Sequence, residues 1–158
     1  MAQMLSESLE DYLEAIFHIV SAKQAARATD ISDRMGVSRS SVTGALRALA
    51  ERELVNYAPY DIVTLTPAGM AAAENIVQRH QVLRRFFVEV LGVDEEIADA
   101  AACGMEHHVG KVVLRKLACL AEFIADGPGG GEEAWLAGFR VFCRAREGTA
   151  AAPGVAGT

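Results

Sequence analysis

The chain has 158 residues, of which 51% are hydrophobic, and a formal net charge of −6. This length provides one domain, or two small ones, with a buried core. The apolar run from Leu117 to Ala125 is interrupted by Glu122 and is shorter than the roughly 20 residues that a membrane span needs. The first residues, Met1 to Leu5, lack the basic segment of an export signal. We therefore expect no membrane span and a cytoplasmic protein.

The number of cysteines and the distribution of charge indicate the cellular environment of the protein and its possible partners. Cys103, Cys119 and Cys143 are odd in number and widely spaced, which favours reduced thiols over a disulfide framework. Residues 23–52 hold six basic and three acidic side chains, whereas residues 94–106 hold five acidic side chains and no Lys or Arg. Because net charge averages over such segments, it does not exclude a nucleic-acid partner.

The first predicted helix runs from Ser8 to Val20, where apolar residues recur at helical spacing. Ser8 is placed to cap this helix, with Asp11 three residues later. A short second helix is predicted over Asp30–Met35, capped by Thr29.

Gly36 ends this second helix, and Ser38 caps a third helix that runs to about Arg52. Two helices joined by such a short turn indicate a helix-turn-helix.

In a helix-turn-helix, the second helix lies in the major groove and its first turns contact base edges. Arg39 can donate two hydrogen bonds to a guanine, and the neighbouring hydroxyl groups can bond bases or phosphates. The alternative is a small helical bundle whose serine-rich surface has no function. The candidate DNA-binding residues are Arg27, Ser38, Arg39, Ser40, Ser41, Thr43 and Arg47.

A β-hairpin is predicted directly after the helix-turn-helix. Leu54–Tyr57 and Ile62–Leu65 are short strand-like runs around a turn that contains Pro59. Thr66 followed by Pro67 is a strong helix start, and the helix should extend to about Leu91. A hairpin in this position is typical of a winged helix and is not needed by a helical bundle.

The second half is predicted to be helical, over Asp94 to about Gly110 and over Val112–Asp126. The apolar sides of these two helices exceed what a small winged domain can cover, which predicts a homodimer. Gly127–Gly131 is a linker pattern. A short helix with Trp135, Phe139 and Phe142 and a disordered tail from about Gly148 should follow.

The predicted fold is mostly α. We expect residues 1–70 to form a winged helix-turn-helix DNA-binding domain and residues 127–158 to form the linker, short helix and tail. Residues 71–126 are expected to form an all-helical dimerisation domain, which is also metal-binding if the residues described next act as ligands.

A thiol, a carboxylate and an imidazole, those of Cys103, Glu106 and His107, lie three and four residues apart. On a helix these offsets place them on one face, as half of a metal site. The alternative is an enzyme with Cys103 as nucleophile and His107 as base. Because the pattern lacks an oxyanion-stabilising turn or a glycine-rich loop, we expect no enzyme.

Five motifs resemble the diphtheria-toxin-repressor family, especially its short manganese-regulator branch, in order and spacing. The resemblance implies a metal-activated, homodimeric transcriptional regulator. Larger members have a third, barrel-like domain, for which the residues after Gly127 are too few. The motifs are Glu10-Asp11-Tyr12-Leu13-Glu14, Val37–Thr43, Leu65–Gly69, Arg79-His80 and Cys103-x-x-Glu106-His107.

The resemblance also implies a metal-ligand set. Cys103 departs from the manganese branch and resembles the iron-responsive branch, whose ancillary metal site falls on Arg84 and Asp99. The cationic Arg84 argues against that ancillary site. Arg39 and Gly44 also depart from the family's recognition helix, so the target sequence cannot be carried over. The ligands are Asp11, Glu14, His80, Cys103, Glu106 and His107.

Each of these residues also has an ordinary structural interpretation. Asp11 could be a capping acid, Glu14 could pair with His18, His80 could be a surface histidine and Cys103 a small core residue. The combined order and spacing favour the metal site.

Oxygen and imidazole donors suit Mn²⁺ and Fe²⁺, and one thiolate shifts preference towards Fe²⁺ and later metals. Fe(II) is therefore the first expectation and Mn(II) the second, while Co, Ni and Zn can bind in vitro.

The expected function is repression of metal-ion homeostasis genes through a palindromic DNA operator. By fastening three chain segments together, a metal would fix two recognition helices at half-sites about one DNA turn apart. We expect no small organic substrate. The main alternative is a winged-helix regulator that senses a small organic ligand or acts without metal.

Overall fold

The computed structural model describes residues 5–58, 62–126 and 132–147. The predicted fold class is confirmed, since helices dominate and a short hairpin follows the third of them. The elements are α1 (Glu7–Lys23), α2 (Ala28–Met35), α3 (Arg39–Glu51), β1 (Val55–Asn56), β2 (Thr64–Leu65), α4 (Pro67–Arg85), a π-helical turn (Phe86–Val90), α5 (Glu95–Met105), α6 (Lys111–Asp126) and α7 (Glu132–Glu147).

The described residues divide into two compact units. Unit 1 comprises those within Met1–Gln81 together with Cys103–His108, and unit 2 comprises those within Val82–Ala102 and Val109–Thr158. The chain passes from one unit to the other inside α4 and again inside α5. The predicted division into functional domains at residue 70 remains a prediction.

The helix starts differ in part from the sequence prediction. Ser6, and not Ser8, caps α1, because its side chain accepts a hydrogen bond from the Leu9 N–H. The start of α2 is at Ala28, and its first turn is closed by the Asp30 carboxylate, which accepts from the Arg27 N–H at 3.0 Å. The predicted Ser8 and Thr29 caps are therefore wrong.

The turn that joins α2 to α3 is formed by the residues that the sequence predicted. The Ser38 side chain accepts from the Ser41 N–H at the start of α3. Gly36, with φ of 65°, ends α2 in the left-handed conformation that glycine adopts at low cost. Fully buried Leu13, Ile31 and Leu46 come from three different helices, so α1, α2 and α3 share one core.

The wing is a narrow antiparallel ribbon. Val55 lies opposite Leu65 in the β1–β2 ladder, so both strands are shorter than predicted. Val63 pairs with Ala26, between α1 and α2, through two backbone hydrogen bonds of 2.7 and 2.9 Å. This bridge joins the wing to the helices. Residues 59–61 of the predicted turn lie outside the described residues.

The start of α4 packs tightly against the base of the wing. The Thr66 hydroxyl accepts from the Gly69 N–H and donates to the Glu53 carbonyl, which confirms the predicted cap. A Cβ atom at Gly69 would lie 1.8 Å from the Leu54 carbonyl oxygen. Only glycine allows this close approach.

The long helix that begins at Pro67 changes character near its end. After Arg85 the chain forms the π-helical turn, which ends at Val90 with Leu91 as its C-cap, close to the predicted end at about Leu91. Gly92, with φ of 67°, follows. Phe86 packs with Val90 and Phe87 with a different cluster, while the two rings contact each other edge-on, with centroids 6.3 Å apart.

The predicted C-terminal helix is present as α7. The predicted linker Gly127–Gly131 and the predicted disordered tail from Gly148 lie outside the described residues. None of the described helices combines the length and the apolarity needed to cross a membrane.

Candidate metal centre and DNA-binding surface

Three chain segments that are distant in sequence meet in unit 1. The first is α1, which carries Asp11 and Glu14, and the second is the part of α4 that carries His80. The third is Cys103–His108 at and beyond the end of α5. Five of the six predicted ligands, all except Cys103, therefore converge at one place.

The end of α5 differs from the prediction, and this changes the geometry of the site. The helix stops at Met105, where the His108 N–H bonds the Met105 carbonyl three residues back instead of four. Glu106 and His107 therefore lie in a turn beyond the helix. The expectation that Cys103 shares one helical face with them is wrong: Glu106 is fully buried, whereas Cys103 is exposed.

Glu106 is at the centre of the cluster, with an exposed fraction of 0%. Its Oε2 lies 2.7 Å from His80 Nδ1, while its Oε1 lies 3.5 Å from His107 Nε2. Oε1 has no hydrogen-bond partner among the described residues. A buried carboxylate oxygen in this condition is costly unless something else binds it, and a cation is one such partner.

The ligand atoms form two groups that share Glu106. One consists of Asp11, Glu106 and His107, and the other of Glu14, His80 and Glu106. Within each group, the ligand atoms lie within 4.8 Å of one another. Carboxylate and imidazole donors at this spacing fit divalent metals such as Mn²⁺ and Fe²⁺.

The electrostatics of the cluster favour protonation when no cation is bound. Burial and the negative charge of Glu14 raise the pKa of the Glu106 carboxyl above its usual value, against the opposing effect of His80. Burial by itself lowers the pKa of His107, but the hydrogen bond with Glu10 and the nearby carboxylates more than offset it, so the pKa is raised.

The structural interpretations that did not involve a metal are correct for some of the predicted ligands and wrong for others. Glu14 does pair with His18, at 3.5 Å between Oε1 and Nε2. Asp11 is not the capping acid predicted for Ser8, since its Oδ1 lies 2.9 Å from His107 Nε2. Cys103 belongs to neither ligand group found in the described part of the chain.

The two positions that resemble an ancillary site are engaged with each other. Arg84 Nη2 bonds Glu95 Oε2 at 2.7 Å, and Arg84 Nε lies 3.6 Å from Asp99 Oδ1. A guanidinium group therefore faces both carboxylates where a metal would need to bind.

Two residues of the site were not selected from the sequence. Glu10 Oε2 lies 2.6 Å from His107 Nδ1, and it also accepts a hydrogen bond of 2.8 Å from Arg79 Nη2. Both lie inside the motifs that carried the resemblance, each one residue before a predicted ligand. The signal available in the sequence was a charged residue directly before a predicted ligand, inside the same motif.

The predicted DNA-binding residues lie on and beside α3. Arg39, Ser40, Ser41 and Arg47 are exposed. The Ser38 hydroxyl lies 2.8 Å from that of Ser40 and 2.9 Å from that of Ser41.

Two further predicted residues lie on α3 and at the start of α2. The Thr43 hydroxyl donates to the Arg39 carbonyl at 2.9 Å, and Arg27 is exposed at the start of α2. This surface presents hydroxyl and guanidinium groups to solvent, which are suitable for phosphates and base edges.

Together, a winged helix-turn-helix and a buried cluster of carboxylates and imidazoles define a class: DNA-binding proteins that respond to a metal. Two family models match the chain. The N-terminal DNA binding domain of the iron dependent repressor matches residues 4–63, and its metal binding and dimerisation domain matches residues 66–134. The chain belongs to this iron-dependent repressor family, and it is a metal-dependent, DNA-binding transcriptional repressor with a dimerisation domain.

Relatives and a solved structure agree with this assignment. An uncharacterized HTH-type transcriptional regulator of Methanocaldococcus jannaschii is 33% identical over 123 residues, covering 77% of this chain and 98% of the relative. The transcriptional regulator MntR of Salmonella typhimurium is 39% identical over 108 residues, covering 68% of each chain.

A solved manganese-dependent transcriptional repressor in complex with manganese superposes with a TM-score of 0.63 at 30% identity, over 73% of this chain and 53% of that one. The chain therefore spans about half the length of that structure. Because the family consists of transcriptional regulators, the expectation that this chain is no enzyme is confirmed.

Proposed function

We propose that this chain is a cytoplasmic repressor that binds a palindromic operator as a homodimer when a divalent metal is present, and so controls genes of metal-ion homeostasis. The observation that carries the proposal is the position of Glu106. It is fully buried and flanked by ligands from three segments of chain. A purely structural cluster gains little from a buried carboxylate with an oxygen that no described residue bonds.

The site is best suited to two cations that share Glu106. Oε1 faces the group of Asp11 and His107, while Oε2 faces the group of Glu14 and His80. One carboxylate can supply a ligand atom on each side. The proposed stoichiometry is therefore two metals per subunit, measurable by calorimetric titration of chelator-treated protein.

We propose Mn²⁺ as the physiological metal, with Fe²⁺ second. The sequence favoured Fe²⁺ because of the Cys103 thiolate, yet both ligand groups contain only oxygen and nitrogen donors, which suit Mn²⁺. Manganese in the solved relative supports this order.

Under anaerobic conditions Cys103→Ser should leave Mn²⁺ affinity unchanged. A large loss of Fe²⁺ affinity alone would instead make Cys103 a ligand and Fe²⁺ the better candidate.

The link between metal and DNA runs through α1. Asp11 and Glu14 project from α1, which packs on α2 and α3 and shares their core. Asp11, Glu14 and Glu106 would hold a divalent cation, whose positive charge would offset the repulsion among them. With that repulsion offset, the three carboxylates would hold α1 against His80 and His107 and so restrict the positions of the recognition helix. By linkage, DNA tightens metal binding by the same factor.

Exposed apolar side chains on α5 and α6 form the proposed dimer surface. Ile97, Val112 and Phe123 are 63%, 62% and 64% exposed, which is unfavourable for a monomer in water. The matching dimerisation family model supports a second copy as the partner. Analytical ultracentrifugation should find a dimer, and a monomer under all metal conditions would contradict this surface.

The central test measures DNA binding with and without metal. Duplexes that the protein selects from a random pool in Mn²⁺ should contain inverted repeats, and affinity for them should fall by at least about 10-fold after chelation, within the usual range of allosteric coupling. Full specific affinity in chelator would refute metal dependence. Equal, metal-independent affinity for all duplexes would refute the operator.

A further inference from the structure

Glu10 and Arg79 form a second layer of charge behind the metal ligands. The two side chains are 18% and 17% exposed, and Glu10 Oε2 accepts from both Arg79 Nη2 and His107 Nδ1. These contacts join residues that are 69 and 97 positions apart. The layer therefore connects the same three segments that supply the ligands.

Each member of this layer is a sequence neighbour of a ligand or is itself one. Glu10 precedes Asp11, Arg79 precedes His80, and His107 belongs to both layers. Glu10 belongs to neither of the ligand groups in the described part of the chain. Because its Oε2 already accepts two hydrogen bonds, its geometry is that of a residue that orients a ligand.

An imidazole can present only one of its two nitrogen atoms to a metal at this site. When Nδ1–H donates to a carboxylate, the lone pair is on Nε2, and such outer partners fix ring orientation at many metal centres. His107 Nε2 is the atom that lies near Asp11 and Glu106, at 2.9 and 3.5 Å. Glu10 therefore holds His107 with the correct nitrogen towards the ligand group.

Arg79 has a separate task in this arrangement. Four carboxylates, from Glu10, Asp11, Glu14 and Glu106, lie in this part of unit 1. The Arg79 guanidinium neutralises Glu10 and keeps its oxygen directed towards His107, since a partly buried ion pair of 2.8 Å restricts the carboxylate.

We propose that Glu10, held by Arg79, is a positioning residue of the metal centre that fixes His107 for coordination through Nε2. The inference rests on the proposed metal-dependent function and adds to it a testable role for two residues outside the ligand set. It also means that the hydrogen bonds of Glu10 with Arg79 and His107 help to hold the three segments together without a metal.

The first experiment measures Mn²⁺ affinity by calorimetry. Glu10→Ala should weaken binding by about 10- to 100-fold, as is usual for outer partners of metal ligands. Glu10→Gln keeps an oxygen that can accept from Nδ1, so its loss should be smaller. Glu74→Gln removes the same charge at an exposed position of α4 and should bind like the unmodified protein.

The second experiment reads the imidazole directly. Long-range nitrogen–proton NMR of Zn²⁺-loaded protein should show His107 with Nδ1 protonated and Nε2 coordinated. Glu10→Ala should broaden this pattern or mix the two nitrogen environments, which a merely structural role of Glu10 would not do. Arg79→Met should weaken binding in the same direction. Circular dichroism of each metal-free variant establishes that it is folded.

The outcomes separate this inference from the proposed function. If the unmodified protein binds Mn²⁺ and Glu106→Gln does not, the metal site stands. In that case equal affinities of Glu10→Ala and Glu74→Gln, or coordination of His107 through Nδ1, would overturn the positioning role. Loss of binding in Glu10→Ala as complete as in Glu106→Gln would also overturn it, because Glu10 would then be a ligand. If the unmodified protein binds no metal, both proposals fail.

Discussion

The recognition helix and the metal centre are built in opposite ways. The proposed DNA-binding surface consists mainly of exposed side chains on α3, which are close together in sequence and positioned by one helix. The proposed metal centre consists of buried or half-buried side chains from three distant segments. Local sequence determines the first, and packing determines the second. Changes in one region should therefore leave the other intact, except where metal couples them.

The largest expected effect is on the metal side. Glu106→Gln should reduce Mn²⁺ affinity by more than about 100-fold, because it changes a ligand that both groups share. Loss of a residue that only orients a ligand typically reduces metal affinity by about 10- to 100-fold, and loss of a ligand should have a larger effect. The neutral amide also removes repulsion with Glu14, so the metal-free variant should be at least as stable as the unmodified protein. Calorimetry and thermal unfolding in chelator measure the two effects. A variant that unfolds more easily without metal would contradict the electrostatic account.

The matching change on the DNA side is Arg39→Ala. Loss of a guanidinium that bonds a base should cost about 1–3 kcal/mol of specific DNA binding. Mn²⁺ affinity in the absence of DNA should not change, since Arg39 is exposed on α3 and lies outside both ligand groups. Fluorescence anisotropy with the selected duplex measures the first quantity. A parallel loss of metal affinity would break the proposed independence of the two regions.

A smaller effect is expected at the start of α3. Ser38→Ala removes the side chain that accepts from the Ser41 N–H and should lower the free energy of unfolding by about 1 kcal/mol. Ser8→Ala is the control, because Ser8 lies in the first turn of α1 and Ser6 provides that cap. Chemical denaturation in chelator measures the free energy of unfolding of both variants and of the unmodified protein. Equal losses would contradict the assignment of the caps.

The smallest effect concerns pH. The pKa values of Glu106 and His107 are both raised, so in the metal-free protein their stabilising contribution is present at low pH and is lost as pH rises through the folded-state pKa. Between about pH 8 and about pH 6, where histidine titrates, thermal stability in chelator should increase as pH falls.

Mn²⁺ should reverse this trend, because ligands must lose protons to bind it. His107→Gln is the control and should show a weaker pH dependence in chelator. A metal-free protein whose stability fell on acidification, relative to that control, would refute the assigned direction.

Much of the fold was predictable because its causes are local. Ser38, Gly36 and Thr66 act within three or four residues, and the structure confirms each of them. The exact helix starts were less predictable, since Ser6 and Ser8 are both suitable caps and only the packing of α1 selects one. The bridge between Ala26 and Val63 has no local cause: Val63 lies in the predicted strand-like run Ile62–Leu65, but Ala26 lies far from it in sequence and outside any predicted strand.

By itself, the sequence determined the helical elements and the wing and predicted most of the proposed ligands, because capping, periodicity and motif order are properties of neighbouring residues. The tertiary structure alone decided that α5 stops before Glu106, that Cys103 is exposed and that Glu10 bonds His107. These outcomes depend on which side chains are desolvated together, and desolvation is a property of the packed molecule and not of any single segment.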